Sequence, residues 1–240
     1  MPRLDDDLSG ILLIDKPVGL TSHDVVHKIR QVTAMKRVGH AGTLDPLATG
    51  LLLVLIGRAT KISQFLVDLD KCYEGIMQLG IETDSYDSEG NVVAQRDVQG
   101  ITLERLRASA ATFEGDIEQI PPMFSAKKLN GKPLYKLARQ GKIVDRQANW
   151  IAISKFEIES LNVDQANFCV CCSKGTYVRT LVHDLGQMLG CGAHLLSLRR
   201  TKIGQFSLDD AFSLDEICMM SRSEIGNHLL TSYLAAKSPR

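Results

Sequence analysis

The segment between Val38 and Gly50 constrains the fold more than any other part of the sequence. It contains three glycines and one proline, and it is followed at once by six apolar residues, Leu51 to Ile56. The proline pushes the residue before it, Asp45, out of helical geometry, and the glycines permit tight turns on either side. We therefore expect a loop that leads into a buried strand. A carboxylate on such a loop suits a nucleophile or a general base, although an ordinary Asp-Pro turn gives the same pattern.

Apolar patterning along the rest of the chain predicts an α+β fold. An amphipathic helix is expected to begin after the capping pair Thr21-Ser22, and further helices are expected at residues 59–67, 102–113, 133–139 and 176–189. Strands are expected at residues 10–15, 51–56, 72–81, 91–98, 150–159, 166–172 and 194–203.

The length of 240 residues suits one large domain or two small ones. No repeat or low-complexity linker divides the sequence, so we predict a single domain over residues 1–240. Residues 120–147, with two adjacent prolines and an Asn-Gly turn, are expected to form an insertion in this domain. Residues 212–240 are expected to form a short helical tail.

No segment of the sequence is apolar enough for a membrane span, because the longest apolar run has six residues and a spanning helix needs about 20. The acidic N-terminus lacks the apolar core of a signal peptide. We therefore expect a cytoplasmic protein whose six cysteines are reduced.

Opposite charges are concentrated in different parts of the sequence, although 28 basic and 28 acidic residues cancel overall. Residues 68–118 contain twelve acids and four bases, whereas residues 123–146 contain seven bases and one acid. Two solvated faces of opposite sign would give this pattern, and so would an arm that binds a polyanion.

Cysteine spacing leaves one metal site to consider. Cys169-x-x-Cys172 and Cys191-x-x-His194 have the spacing of a zinc ribbon. Cysteine is also a small hydrophobe, and residues 168–172 are typical of a buried strand. We favour the strand and expect no metal.

A second cluster of candidate residues lies in Lys174–Thr180, where a strand is expected to lead into a helix. Tyr177 and Arg179 would lie in the first helical turn, where Arg179 would pair with a buried carboxylate or lie on the surface. Tyr73 alternates with its neighbours along a strand and by itself suits a packed aromatic residue. His40 by itself suits an ordinary loop histidine.

Taken together, eight segments resemble the TruB family of tRNA pseudouridine synthases, in the family's order. The likeness runs from about Gly10 to about Ala211, and its most specific part is the Gly-Thr-Leu-Asp-Pro block around Asp45. The segments are Ile14-Asp-Lys-Pro17, Gly39 to Gly50, the Tyr73 strand, Gly80-x-x-Thr-Asp84, Pro121 to Ala126, Asn130 to Gly141, Gly175 to Thr180, and Leu198-Arg-Arg200.

The resemblance implies a pseudouridine synthase fold, in which a mixed and mainly antiparallel central sheet is flanked by helices. It also implies an activity: isomerisation of the uridine at position 55 in the T-loop of tRNA to pseudouridine, without a metal or an organic cofactor.

Asp45 matches the family's nucleophile, which attacks a flipped-out uridine. Arg179 matches the arginine that pairs with this aspartate and holds its rotamer. Tyr73 matches the tyrosine that stacks on the target base and is a candidate proton acceptor.

Four further positions match residues around the uridine in the family. His40 matches the residue that takes up the space vacated when the base flips. Tyr177 and Leu198 match further contacts to the uridine, and Lys16 matches a supporting lysine beside the site.

The insertion at 120–147 matches a loop that closes over the RNA hairpin in family members. This implies that Lys127, Lys128 and Lys132 contact phosphates, which position the RNA without reading its sequence. The expected partner is the T-arm stem-loop of tRNA, bound by a monomer that needs no obligate protein partner and no membrane. Longer members carry a C-terminal PUA-type RNA-binding module, and we expect this chain to be a short form without one.

Two other functions stay open at this point. An RNA-guided synthase of the H/ACA type shares the aspartate motif but depends on a PUA module and protein partners. A non-catalytic RNA-binding protein that assists tRNA folding would need none of Asp45, Tyr73 and Arg179. The combination of these three residues favours the stand-alone synthase.

Overall fold

The computed structural model describes residues 8–231 apart from residues 126, 130, 139 and 143. The strands are, in chain order, β1 (Gly10–Lys16), β2 (Val38–Ala41), β3 (Thr49–Ile56), β4 (Lys71–Leu79), β5 (Ile81–Thr83), β6 (Val92–Gln95), β7 (Gly115–Gln119), β8 (Lys128–Leu129), β9 (Lys132–Pro133), β10 (Asn149–Asn162), β11 (Gln165–Cys172), β12 (Ala193–Ile203), β13 (Phe206–Ser207) and β14 (Phe212–Ser213). The helices are α1 (Ser22–Thr33), α2 (Ser63–Val67), α3 (Leu103–Ala111), α4 (Leu134–Ala138), α5 (Val178–Leu189), α6 (Leu214–Met219) and α7 (Arg222–Asn227), with 3₁₀ turns at Gly57–Ile62 and Leu208–Asp210.

The chain divides into two compact units. The first comprises residues 1–73 and 199–240, and the second comprises residues 74–198. Strands β4 and β12 therefore each contribute residues to both units.

The first unit is built around β3, whose predicted apolar run, Leu51 to Ile56, is completely buried. Strands β1 and β2 both pair with it antiparallel. The first residues of β3 also lie parallel to Arg199 and Arg200 of β12. Strand β14 extends this arrangement parallel to β1, and β13 pairs antiparallel with β12.

Helix α1 begins as the sequence predicts, because the Thr21 side chain accepts a hydrogen bond from the Asp24 backbone N–H and the Asp24 carboxylate accepts one from the Thr21 backbone N–H. Its buried face, which includes Val25, Val26 and Ile29, belongs to the same apolar core as the inward side chains of β1 and β3. The segment expected to be loop from Val38 onwards begins instead as strand β2. Its residues pair along β3 through the backbone, which requires no apolar alternation.

The second unit has the strand order β4-β11-β10-β7. Strand β10 pairs antiparallel with β11 and with β7, a strand that the sequence analysis did not predict. Helices α3 and α5 pack against each other, and α3 also packs on β10. Phe156 contacts both Phe113 and Phe168 edge to face, at centroid distances of 6.3 and 5.7 Å, and these rings contribute to the core of the unit.

Two predicted strands of the second unit differ from the observed ones. The strand expected at 72–81 ends at Leu79, because Gly80 adopts a φ of 81° and turns the chain into β5. Strand β6 is shorter than the predicted 91–98 but pairs antiparallel with β5, as expected of a hairpin.

Most strand pairs among the described residues are antiparallel, with parallel pairs at β1–β14 and β3–β12. The prediction of a mixed, mainly antiparallel sheet with flanking helices is therefore confirmed. Within the described part of the predicted tail, β14, α6 and α7 are present, and residues 232–240 lie outside the description. None of the described helices is both long enough and apolar enough to cross a membrane.

Candidate active site

Asp45 lies in the loop that joins β2 to β3 in the first unit, and its side chain is half-buried. Its carbonyl oxygen accepts a hydrogen bond from the Ala48 backbone N–H at 3.1 Å, which closes a turn around Pro46. The predicted loop between two secondary elements is therefore present, with Asp45 at its centre.

The backbone on both sides of Asp45 is held by hydrogen bonds. On one side, the Leu44 N–H donates to Ser22 Oγ at 2.8 Å, and this hydroxyl donates back to the Leu44 carbonyl at 3.2 Å. On the other side, the Pro46 carbonyl accepts a bond from the Gly19 N–H at 2.8 Å. Asp45 therefore belongs to a loop whose position is set by its neighbours, which limits how far its carboxylate moves before reaction.

Lys16 lies at the end of β1 and is completely buried. Its ammonium donates to the carbonyls of Pro17 at 2.9 Å, Leu20 at 2.7 Å and Pro46 at 3.4 Å. It thereby connects the segment after β1 to the Asp45 loop, and its supporting role beside the uridine stays a prediction.

His40 is a half-buried residue of β2 and lies opposite Val54 of β3. Burial lowers the pKa of His40, and the charges of Arg200 and His23 lower it further. Its Nδ1 atom is buried and has no hydrogen-bond partner among the described residues. The imidazole is therefore neutral at pH 7 and has a ring nitrogen that is unused within the first unit.

Tyr73 is a buried residue of β4. Lys71, two residues earlier and thus on the same side of the strand, is buried as well and donates from Nζ to the carbonyls of Val67 and Leu69. Tyr73 is the last residue of the first segment of the first unit, which also contains Asp45, Lys16 and His40.

Arg179 is the second residue of α5 and is buried in the second unit. Its Nη1 donates to Asp87 Oδ2 at 3.0 Å and to the Ser85 carbonyl at 3.2 Å, and its Nη2 donates to the Phe124 carbonyl at 2.9 Å. The side chains of the Arg179–Asp87 ion pair are only 7% and 4% exposed. The expected pairing with a buried carboxylate is thus present within this unit with Asp87, whereas the pairing of Arg179 with Asp45 stays a prediction.

Tyr177 immediately precedes α5, so the expectation that it lies in the first helical turn is wrong by one residue. Its N–H donates to Gln119 Oε1 at 2.8 Å, and Gln119 Nε2 donates to its carbonyl at 3.1 Å. This two-bond contact with a buried amide fixes the start of the helix that carries Arg179. Leu198, a residue of β12 in the second unit, is buried as well.

The predicted phosphate-binding lysines differ in their surroundings. Lys127 is half-buried and donates to Asn149 Oδ1 at 2.8 Å and to the Gln147 carbonyl at 3.4 Å. Lys132 is exposed at the beginning of β9. The side chain of Lys128 lies outside the described part of the structure. Exposed Lys132 therefore suits a phosphate contact better than Lys127 does.

The four residues with zinc-ribbon spacing all lie in the second unit. Residues 168–172 belong to β11, as predicted, and Cys169, Cys172 and Cys191 are not disulfide-bonded. His194 places its Nδ1 2.9 Å from the Ile81 carbonyl. In the described part of the chain, no group of three or more His, Cys, Asp or Glu side chains is arranged to hold a metal ion. Cys72 and Cys171 are disulfide-bonded, so the expectation that all six cysteines are reduced is wrong.

The sequence analysis missed Ser22, Asp87 and Gln119, which hold the predicted site residues. Ser22 was identified only as part of a helix cap, yet its hydroxyl bonds to the backbone of Leu44, which lies 22 residues further along the sequence. Asp87 lies in an acidic turn, 92 residues from Arg179. These polar residues are distinctive because they are buried. Burial is not visible in the sequence, so no sequence signal identified them.

Comparison with known proteins gives consistent matches along the chain. Residues 30–178 match the N-terminal domain of the TruB family pseudouridylate synthases, and residues 179–235 match the C-terminal domain of tRNA pseudouridylate synthase B. The chain is 52% identical over 232 residues to tRNA pseudouridine synthase B of Opitutus terrae, a match that covers 97% of this chain and 96% of that protein. It is 50% identical over 215 residues to the protein of the same name from Stutzerimonas stutzeri, with 90% and 70% covered.

Solved structures show the same likeness at lower identity. A chain of a Cbf5-Nop10-Gar1 complex matches with a TM-score of 0.72 and 27% identity, over 94% of this chain and 61% of that chain. The archaeal box H/ACA sRNP Nop10-Cbf5 complex matches with a TM-score of 0.70 and 27% identity, over 95% and 61%. The chain thus spans about three fifths of the length of these solved chains.

Proposed function

Because the chain belongs to the TruB family of pseudouridylate synthases, we propose that it isomerises the uridine at position 55 in the T-loop of tRNA to pseudouridine. The family and the curated relatives named tRNA pseudouridine synthase B support the reaction and the tRNA substrate. The choice of position 55 rests on the resemblance of the Gly39–Gly50 segment.

The observation that carries the proposal is the fixed backbone around Asp45. Ser22 holds Leu44, and Lys16 and Gly19 hold Pro46, so both neighbours of Asp45 are anchored. A nucleophile gains most from such anchoring, because reaction requires its oxygen at a defined distance from the attacked atom. An ordinary surface turn needs no buried lysine beneath it.

The reaction balances within the substrate. Asp45 attacks C1′ of ribose as the bond between C1′ and N1 of uracil breaks, and the bond between Asp45 and C1′ breaks again when the rotated base attacks C1′. The base rotates, a bond forms between C5 and C1′, C5 loses its proton, and N1 gains one. No electrons are gained or lost overall, so the step needs no oxidant, reductant or group donor.

The remaining site residues have supporting roles in this proposal. Tyr73 stacks on the flipped uracil and is the candidate acceptor of the C5 proton. Neutral His40 takes the space that the base leaves. Arg179 orients the Asp45 carboxylate, and Tyr177 and Leu198 contact the uridine.

We further propose that residues 1–240 act as one catalytic domain in the cytoplasm, as a monomer without an obligate protein partner. The insertion at 120–147 is proposed to contact the phosphates of the T-arm through Lys132, with Lys127 and Lys128 beside it. The exposed position of Lys132 supports this assignment.

The test is tritium release from a T-arm RNA hairpin in which only the T-loop uridine carries tritium at C5. The isolated chain, without guide RNA or protein partners, should release the label, because C5 loses its hydrogen when the carbon glycoside forms. Asp45→Asn should abolish release while hairpin affinity stays within about tenfold, or about 1.4 kcal/mol, since the carboxylate repels phosphate rather than attracting it.

Asp116→Asn is the matched control, because it removes the charge of an exposed aspartate in β7. It should release tritium at the wild-type rate. Wild-type rates in Asp45→Asn would rule out Asp45 as the nucleophile. Hairpin binding without release by the wild-type chain would instead identify a non-catalytic binder, and release only with an added guide RNA would identify an RNA-guided synthase.

A further inference from the structure

Arg200 is a fully buried cation at the base of the Asp45 loop, with a relative exposure of 1%. It is the last residue of the Leu198-Arg-Arg200 motif, in which the resemblance gave a role only to Leu198. Its Nε donates to the Leu51 carbonyl at 2.7 Å, and its Nη2 donates to the Gly42 carbonyl at 3.0 Å. Its Nη1 lies 3.5 Å from the Thr43 carbonyl. One side chain thus bonds to the chain before the loop and to the chain after it.

The two glycines at the ends of the loop both lie against Arg200. Gly42 has a φ of 86°, and a Cβ atom there would lie 3.5 Å from Arg200 Nη1. Gly50 has a φ of 96°, and a Cβ atom there would lie 2.3 Å from the Arg200 carbonyl oxygen. Arg200 is also the residue that pairs with Gly50 in the parallel β3–β12 contact. The Arg200 side chain therefore contacts Gly42 at one end of the loop, and the Arg200 backbone contacts Gly50 at the other end.

Among the described residues, the Arg200 guanidinium bonds only to backbone carbonyl oxygens. Burying a cation without a carboxylate partner is costly, so packing alone would favour an apolar side chain here. The planar fork of arginine donates in several fixed directions at once, which a lysine ammonium on a flexible stem does not reproduce. These features suit a group that holds two chain segments at a fixed spacing.

We propose that Arg200 is a positioning residue for Asp45: it clamps the two ends of the Gly42–Gly50 loop together and so fixes the distance of the Asp45 carboxylate from the substrate. The role of Asp45 in this inference rests on the function proposed above. The clamp itself is a property of the loop and is measurable without the reaction.

The experiment compares Arg200→Lys with the wild-type chain by three measurements. Hydrogen exchange of the Leu44 and Ala48 amides reports the loop, since one bonds to Ser22 Oγ and the other to the Asp45 carbonyl. We expect these amides to exchange at least about tenfold faster in the variant. Single-turnover tritium release should fall about a hundredfold, the effect of a misplacement of about 1 Å, while the Kd for the hairpin stays within about threefold.

Arg30→Lys is the matched control. Arg30 is half-buried on α1 and donates from Nη2 to the Val38 carbonyl at 2.7 Å, so it makes the same kind of bond in the same unit but outside the loop. Loop exchange and turnover should both equal those of the wild-type chain. If Arg200→Lys does not fold, Gly42→Ala tests the clamp from the other side, because alanine disfavours the φ of 86° with Arg200 intact. It should loosen the same two amides.

The outcomes separate the clamp from the proposed function. Unchanged loop exchange in both Arg200→Lys and Gly42→Ala overturns the clamp, whatever happens to turnover. Faster loop exchange with turnover within threefold of wild type overturns the positioning role. Faster exchange together with a wild-type chain that releases no tritium supports the clamp and contradicts the proposed function.

Discussion

Arg179 and Asp87 form a buried ion pair that orients a predicted site residue. Their side chains are 7% and 4% exposed, and the second Asp87 oxygen accepts from Ser85 Oγ and from the Glu89 N–H. Removing one partner of such a pair leaves an unpaired buried charge, which costs about 3–5 kcal/mol. We predict that Asp87→Ala lowers the free energy of unfolding by about this amount, measured by urea denaturation at pH 7. It should also slow tritium release, because Arg179 loses the contact that orients it.

A double-mutant cycle distinguishes pairing from independent packing. If the ion pair is the cause, Arg179→Leu combined with Asp87→Ala should cost clearly less than the sum of the single changes. The exposed Glu118 provides the control, and Glu118→Ala should change stability by less than about 0.5 kcal/mol. Strictly additive costs in the cycle would contradict the pairing.

At the scale of elements, α5 contains an acid, Asp184, whose ionisation opposes folding at neutral pH. Burial raises the pKa of Asp184 to about 6, from an ordinary value of 3.8. At pH values between 3.8 and about 6, the folded state binds more protons than the unfolded state. The free energy of unfolding therefore falls as the pH rises through 6. This rise in the pKa corresponds to about 3 kcal/mol, and the partial exposure of the side chain reduces the expected effect to about 1–2 kcal/mol.

We predict that Asp184→Asn stabilises the protein by about 1–2 kcal/mol at pH 8 and by less at pH 5. Asparagine has the shape of the protonated carboxyl and no charge, so it removes the cost without leaving a cavity. Denaturation curves at the two pH values provide the measurement. Glu118→Gln, at an exposed position, should show no difference between them. A gain for Asp184→Asn that is equal at both pH values would contradict the pKa as its cause.

The basic insertion at 120–147 is the element expected to determine the salt dependence of RNA binding. Each phosphate contact contributes about −0.7 to −0.9 to the slope of log affinity against log salt. Lys132→Ala should therefore flatten the slope by about 0.7–0.9, and Lys127→Ala by less, because the Lys127 ammonium already bonds to Asn149 and Gln147. Hairpin titrations between 50 and 200 mM salt provide the measurement.

Lys155 is the control for this measurement, because it is exposed on β10 and pairs with Glu157 rather than lying in the insertion. Lys155→Ala should leave the slope unchanged. Equal slopes for Lys132→Ala and the wild-type chain would show that Lys132 does not contact phosphate.

At the scale of the whole molecule, the proposed reaction needs nothing besides the chain and its RNA. Isomerisation rearranges bonds within one nucleotide, so we predict that exhaustive dialysis against EDTA changes the rate of tritium release by less than twofold. Metal analysis of the purified chain should find less than about 0.1 zinc per molecule if Cys169, Cys172, Cys191 and His194 are structural residues. Stoichiometric zinc with loss of fold in EDTA would support the zinc-ribbon alternative instead.

Much of the chain's organisation follows from local sequence. The apolar run at Leu51–Ile56 predicts β3, the Thr21 cap predicts α1, and the Gly-Thr-Leu-Asp-Pro block locates the Asp45 loop and the family. These succeed because periodicity, capping and turn formation depend on residues a few positions apart. Strands β2 and β7 were missed because glycine and acidic residues have low strand propensity, and both segments become strands by pairing with β3 and β10.

Only the tertiary structure decides which distant groups hold the predicted site residues. Ser22 meets Leu44, Asp87 meets Arg179, and Arg200 meets Gly42 across separations of 22, 92 and 158 residues. Such contacts depend on how whole elements pack, and a serine, an aspartate or an arginine looks the same in sequence whether it is solvated or buried. Burial makes them important, because a buried polar group must be hydrogen-bonded, and its partners are thereby held in place. The sequence alone therefore identifies Asp45 and its loop, and the packing of distant elements determines how firmly that loop is held.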